Sequence, residues 1–423
     1  MEAPDAAPAL PRLADLGGAQ ARAAGCLVGA VAGASLGLSV EPERHFRITR
    51  LFPEGLLDPW RFTAAGAATR RAPGDAAAAA AAAAALAGAG GAPALGPLLD
   101  ALAASYAPRD FAYSPYTALV LDALSAGVDP FSLARQADAF LDAATSRSAS
   151  TSSDRAERQP FGAADFGAAL RCVPLGLVAK GASDKELTAA VDAWALFSHP
   201  QDDGRDGALA AAAAVAYLAG CDGPGGATPE GLLLRVRQVA TSQAMTSKLD
   251  LLHRSLAALG QLPRVDGPAP LRRSSSSGGG GASSSGASGG GGEGGPAVGS
   301  WREFWRSAEW GRMVETHNLL TRHGFATLGT QAVAVALWAL VTNWSRPQQA
   351  VVIAASLGGS SSTTAALTGA FAGALHGSAW LPERWWDALG ESGAERRVRD
   401  GALEAALRLA DMRLPSGGGA AAQ

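Results

Sequence analysis

Cysteine is scarce: three in 423 residues, at positions 26, 172 and 221. They are too few and too scattered for a disulfide framework or a zinc knuckle, and the scarcity fits a reducing compartment. The six histidines form no HxxxH or HxxH pair, so a histidine-based metal site is not expected. Net charge is also small. Lys plus Arg number 35 against 38 Asp plus Glu, a balance of −3, and charged residues are only 17% of the chain. Nucleic-acid binding needs a concentrated basic face, which this balance does not supply. No Walker phosphate loop is present. Long apolar runs are missing too. The nearest, residues 330–342 (TQAVAVALWALVT), is too short to span a bilayer and predicts a helix buried on all sides. Residues 1–16 carry three acids and three prolines, unlike a signal or transit peptide. The expectation is a cytoplasmic protein with no nucleic-acid and no membrane partner.

What is abundant is small and apolar. Hydrophobic residues make up 48% and glycines number 53, so a large core can form and global disorder is excluded. Residues 272–300 are a Ser/Gly chain that cannot bury apolar surface. Residues 145–160 read as a polar loop. Elsewhere the pattern is helical. Asp75 precedes an unbroken alanine run over 76–85 and suits a helix N-terminus. Residues 131–144, 184–197, 232–259, 364–376 and 397–412 show apolar residues at helical spacing. Period-two Val/Ile runs are scarce, which predicts an all-α fold. Gly25, Gly29, Gly33 and Gly37 are each four apart, and Gly369 and Gly373 repeat the spacing. On a helix they form a smooth ridge for close packing; glycine also lets backbone approach a ligand. Trp301 and Trp305 share a helical face that is expected to dock on the domain. Cys172, in an apolar stretch, predicts an inert core thiol.

Four segments in order resemble the ADP-ribosylglycohydrolase family. They are residues 25–41 (GCLVGAVAGASLGLSVE), residues 73–76 opening the alanine helix, residues 165–177 (DFGAALRCVPLGL) with 194–199 (WALFSH), and residues 336–386 with ALWAL, SLGGSSSTTAALTGAFAGALHG and LPERWW. The resemblance implies a single all-α domain over 21–271 and 301–412, with a tail at 1–20, a Ser/Gly-rich insertion at 272–300 and a flexible tail at 413–423. It implies hydrolysis of ADP-ribosyl N- or O-glycosidic bonds at two Mg²⁺ ions, which hold ribose hydroxyls and the attacking water. Two such ions lie roughly 3.5–4 Å apart. They repel by about 16 kcal/mol at an effective dielectric of 20, and carboxylates must offset that.

The chain departs from the family's acidic pattern. Gly-Asp becomes Gly33-Ala34 and Thr-Asp-Asp-Thr becomes Pro73-Gly74-Asp75-Ala76. Gly-Gly-Asp-x-Asp-Thr becomes Gly358-Gly359-Ser360-Ser361-Ser362-Thr363, and Gly-Asn-Gly becomes Asp165-Phe166-Gly167. The resemblance leaves Glu41 and Asp75 as candidate catalytic residues. The substrate-binding candidates are Gly33, Ser35, Gly167, His199, Gly358, Gly359 and Ser361. Asp75, Ser360, Ser362 and Thr363 stand at the degenerate metal positions. Neutral hydroxyls ligate Mg²⁺ weakly, so magnesium, the family cofactor, is expected to bind weakly or not at all. The expected function is that of an impaired or inactive member, a pseudoenzyme with a binding or structural role. The alternative is an active hydrolase with an atypical site. ADP-ribose or an ADP-ribosylated protein is the expected partner, and a monomer the expected state. His199 either lines the cleft or is a satisfied core histidine. The serine-rich turn opens a helix that either receives a phosphate or is ordinarily capped.

Overall fold

The structure is a computed structural model and describes residues 10–41, 43–57, 72–129, 132, 164–258, 300–321 and 324–415. The expected helix at 131–144, the loop at 145–160 and nearly all of the 272–300 insertion lie outside the described residues, as do 1–9 and 416–423.

The all-α expectation holds. The first half of the chain supplies α1 (Gly18–Leu38), α2 (His45–Leu51), α3 (Gly74–Gly88), α4 (Leu95–Ser105) and α5 (Pro115–Ser125). Next come α6 (Gly167–Arg171), α7 (Val173–Val178), α8 (Asp184–Ala195), α9 (Asp202–Gly220), α10 (Pro229–Val239) and α11 (Gln243–Ala258). The last part adds α12 (Trp301–Phe304), α13 (Ala308–Leu320), α14 (Gly329–Thr342), α15 (Pro347–Ser356), α16 (Ser361–His376), α17 (Glu383–Glu391) and α18 (Gly393–Leu409). The pattern did not announce one small addition. Two-residue strands β1 (Ala72–Pro73) and β2 (Phe111–Ala112) pair in parallel and hold the start of α3 beside the loop that leads into α5.

Local chemistry explains several boundaries. Ser183 caps α8 through the Glu186 backbone N–H, and Glu186 answers from its side chain, a reciprocal arrangement that satisfies two end donors. The single or double helix expected over 232–259 is two, α10 and α11. At the ends, the structure departs from the expected tails. Gly18 already opens α1, and Ser378 Oγ donates to the Leu13 carbonyl. The Leu414 N–H donates to the Val178 carbonyl. Backbone groups this close to buried helices find protein partners, so packed structure extends into both expected tails.

The core is organised around α1 and α16, which make the most extensive helix contact. The glycine ridge is the reason. A Cβ at Gly25 would lie 2.1 Å from the Gly377 carbonyl oxygen, one at Gly29 2.5 Å from that of Gly369, and one at Gly33 2.1 Å from that of Ala365. At Gly37 it would lie 2.1 Å from the Ser361 oxygen, and at Gly373 1.9 Å from that of Gly25. The two helices run antiparallel with their backbones in mutual contact, and only hydrogen fits between them. By length and composition α1 could cross a bilayer, which the reading of residue runs missed; 83% of its most apolar window is buried inside the domain. Helix α14 is buried from Gly329 through Val341, as its composition implied. Trp301 and Trp305 stack at 4.8 Å between ring centroids, and Trp305 Nε1 donates to the Phe52 carbonyl. The aromatic face therefore docks on the domain.

Candidate functional site

The end of α1, the start of α3, the start of α5, the start of α6 and the start of α16 supply the side chains singled out in the sequence. The arrangement is best followed from one carboxylate to the next.

Glu41 lies in the turn after α1. Its Oε2 accepts the Ser362 backbone N–H at 3.0 Å, while Ser362 Oγ donates to the Ala34 carbonyl at 3.1 Å. The first turn of α16 is thus tied to the end of α1 by both groups of one serine. Burial pushes the Glu41 carboxyl up to about 7, helped by the negative charge of Asp75 and opposed by the Ser362 N–H.

Asp75 stands in the first turn of α3, as its place before the alanines implied. Its carboxylate accepts the Ser114 N–H and the Ser114 hydroxyl, each at 3.2 Å. Burial raises it to about 6; the charge of Asp165 adds to the rise, and the Thr117 and Ser114 bonds oppose it. Glu41 thus responds to Asp75 and Asp75 to Asp165, which brings three carboxylates into one electrostatic neighbourhood.

Asp165, two residues before α6, is buried. It is 6% exposed. Its Oδ1 accepts the Gly167 N–H at 2.8 Å and pairs with His199 Nε2 at 2.6 Å. Behind it, His199 Nδ1 meets Ser198 Oγ at 2.8 Å, and Arg171 Nη2 donates to that same oxygen at 2.6 Å. The Ser198 hydroxyl also lies 3.4 Å from the Ala195 carbonyl, so the tautomer is assigned from the other side of the ring: an ionised Asp165 only accepts, and the proton is placed on Nε2. Burial lowers the His199 pKa, opposed by the hydrogen bond and charge of Asp165. Serine, histidine and aspartate in a row resemble a nucleophile triad in order only. Ser198 is wholly buried, and its oxygen is occupied by Arg171.

The packing places the other expected ligand-contact residues as follows. Gly33 faces the Ala365 backbone, not a cleft. Ser35 sits inside α1 and is fully buried; the letters Gly-Ala-Ser-Leu-Gly at 33–37 therefore lie within a helix instead of at a strand-to-helix elbow. His199 uses both ring nitrogens internally and is a satisfied core histidine. Gly358 (φ +87°) and Gly359 (φ +70°) are left-handed, and a Cβ on them would lie 2.5 Å from the Glu43 oxygen and 2.4 Å from the Gly324 oxygen. Their freedom serves a turn and a close backbone crossing. Ser361 is fully buried, and its hydroxyl has no hydrogen-bond partner among the described residues. Ser360 is 5% exposed and begins α16 without a side-chain capping bond; Thr363 is 3% exposed. Gly167 presents its hydrogen to a tight group. A Cβ there would lie 2.5 Å from Thr117 Oγ1, 3.2 Å from Asp165 Oδ1 and 3.4 Å from His199 Nε2. Ser114, Thr117, Arg171 and Ser198 were not named from sequence. The Ser-Pro-x-Thr spacing at 114–117, where proline opens a helix, was the available signal for the first two.

Two positions of the expected acidic pattern can be followed in the structure. The resemblance sets Gly74 against the first aspartate of the α3 turn. A Cβ there would meet the Tyr113 ring at 2.5 Å and the Ala112 oxygen at 2.7 Å. The space for a ligand side chain is filled by aromatic carbon. Ser362 spends its hydroxyl on the Ala34 carbonyl. Among the described residues, no group of three or more His, Cys, Asp and Glu could hold a metal ion.

Comparison with known proteins adds the following. The sequence model of the family described as ADP-ribosylglycohydrolase matches residues 17–417. A solved structure described as an ADP-ribosylglycohydrolase-related protein complex is 19% identical, with 93% of this chain and 100% of that chain covered at a TM-score of 0.49. No curated protein matches the chain.

Proposed function

The chain belongs to the ADP-ribosylglycohydrolase family, and from that membership we propose that it is a catalytically impaired member that keeps the fold and a cleft for ADP-ribose-like ligands. The observation that carries this reading is the refilled α3 turn: Tyr113 and the Ala112 carbonyl occupy the room that a side chain at position 74 would need. The change is coordinated. Ala34, Gly74, Ser360 and Ser362 replace the family's acids, whereas the ridge glycines that lock α1 to α16 remain. Two retained carboxylates, Glu41 and Asp75, cannot offset the mutual repulsion of two divalent ions. The protein acts as a binding or structural element on this scaffold, with ADP-ribose or an ADP-ribosylated protein as its partner.

A second reading has one observation in its favour. Glu41 near 7 and Asp75 near 6 are carboxyls that exchange protons around neutrality, the property of a general acid and base. In that reading the pair hydrolyses an ADP-ribosyl bond without metal. Calorimetric titration with Mg²⁺, with and without ADP-ribose, is the test, together with an assay for ADP-ribose release from a modified protein in EDTA. The impaired reading expects heat with ADP-ribose, no tight Mg²⁺ site and no release. Tight binding of two Mg²⁺ per chain, or Mg²⁺-dependent release, refutes it. Release in EDTA that disappears in Glu41→Gln and Asp75→Asn establishes the second reading instead.

A further inference from the structure

We propose that α2 is a docking surface for a partner protein, and that the segment it takes is an acidic peptide with apolar side chains between its carboxylates. The inference rests on the ligand reading above for the identity of the partner, an ADP-ribosylated protein. It adds where the flanking residues of that protein sit and what chemistry they carry.

Charge is unbalanced at this place. The chain as a whole carries −3, yet residues 44–51 (RHFRITRL) hold three arginines and no acid. Arg44, Arg47 and Arg50 are all exposed. The acids that flank them do not cancel them. Glu43 meets Arg47 at 3.2 Å in a pair whose arginine side chain is 62% exposed, and exposed pairs hold weakly. Glu54 is taken by Arg302 at 2.6 Å. Arg50 has no ion pair among the described residues.

The arrangement of the side chains narrows the occupant. Ile48 is buried and His45 meets the Trp310 ring at 6.5 Å, so these two spend the inner side of the helix. Phe46 is 63% exposed and Leu51 50%. Residues four apart share one side of a helix, so Phe46 neighbours Arg50 and Arg47 neighbours Leu51. Apolar and cationic groups are thus interleaved. A helix that lies on a bilayer separates them onto opposite faces. A tract for single-stranded nucleic acid needs a series of aromatic platforms, and α2 exposes one phenyl ring. A peptide that mixes acids with apolar residues fits both rows at once, with carboxylates on the guanidinium groups and apolar side chains on Phe46 and Leu51.

Backbone contacts join this surface to the candidate site. The Gly359 N–H donates to the Glu43 carbonyl at 2.9 Å, Arg44 and Gly358 form an isolated antiparallel bridge, and the Arg44 guanidinium lies 5.6 Å from the centre of the Phe325 ring. Gly358 and Gly359 lead into α16, whose Ser362 N–H binds Glu41. A protein whose modified side chain enters that neighbourhood carries its flanking residues across an edge of it, and α2 is an edge with unspent cations.

Fluorescence anisotropy on the full chain tests this with a labelled peptide of repeated Glu-Leu-Asp-Ser. The comparison probes are the same peptide with lysine at its acidic positions, a polythymidine strand, and vesicles of anionic phospholipid followed by sedimentation. The acidic peptide is expected to bind, and to bind less well as salt is added. Its Kd is expected to rise at least about tenfold in the double variant Arg47→Glu, Arg50→Glu, and to rise also in Phe46→Ser. Circular dichroism verifies that the variants fold, and calorimetry with ADP-ribose is expected to give the same affinity in them as in wild type. No saturable binding of the acidic peptide, or binding that charge reversal leaves intact, overturns the inference and leaves the ligand reading standing. Tighter binding of the lysine peptide, the strand or the vesicles overturns it as well. Peptide binding without any ADP-ribose heat in wild type overturns the ligand reading and leaves the acidic docking surface.

Discussion

Replacing Glu41 by glutamine should stabilise this protein, and by an amount that depends on pH. In the folded chain burial lifts the Glu41 carboxyl from 4.5 to about 7, with Asp75 adding to the lift. Between those values the unfolded chain has already released the proton that the folded chain retains. The sign follows from linkage: a raised folded pKa gives stability that is fully present below 4.5 and is lost as pH rises through 7. The full span of the shift corresponds to about 3 kcal/mol, at ~1.36 kcal/mol per unit. Glu41 is partly exposed, and screening by solvent reduces the figure to roughly 1–2 kcal/mol. Glutamine keeps an oxygen to accept the Ser362 N–H and carries no titrating charge. Urea denaturation of wild type and Glu41→Gln at pH 4.5 and pH 8 is the assay. Near-equal stability is expected at pH 4.5, with the variant ahead by roughly 1–2 kcal/mol at pH 8. A difference that does not change with pH, or a variant that is weaker at pH 8, refutes the reasoning.

Two further outcomes follow from the packing. Gly373→Ala places a methyl 1.9 Å from the Gly25 oxygen, so α1 and α16 must separate, and a loss of at least ~3 kcal/mol is expected by chemical denaturation. Gly401→Ala, in α18 with nothing within 4 Å of its Cβ, should instead gain about 0.5–1 kcal/mol from helix propensity. His317 is 1% exposed, its ring nitrogens have no partner among the described residues, and burial beside His45 lowers it to about 3. The unfolded chain takes up this proton below 6.5 and the folded chain does not, so about 2 kcal/mol should be lost between pH 6.5 and pH 5. His317→Phe should flatten that part of the stability profile.

The chemistry of Cys172 shows how far local sequence can carry. An apolar stretch implied an inert core thiol, and Cys172 is fully buried with its pKa pushed up to about 12. Asp75 at the head of the alanine run likewise landed in the first turn of α3. Asp165 and His199 show where that reasoning stops. Nothing adjacent to Asp165 in sequence says that a histidine thirty-four residues away will bury it. Nothing adjacent to His199 says that both its nitrogens are already used.

By itself, the sequence determined the all-helical fold and the glycine ridges on α1 and α16. Each is written in spacing along one helix or in the residue types of one turn, and helical periodicity is a local property. Only the tertiary structure decided which ridge meets which and what surrounds the candidate site residues. Tyr113 fills the room beside Gly74, Ser362 turns to Ala34, and Asp165 enters the neighbourhood of Asp75 from a third segment. Side chains from distant segments compete for one volume there, and that competition is settled by packing in three dimensions, which no single stretch of residues encodes.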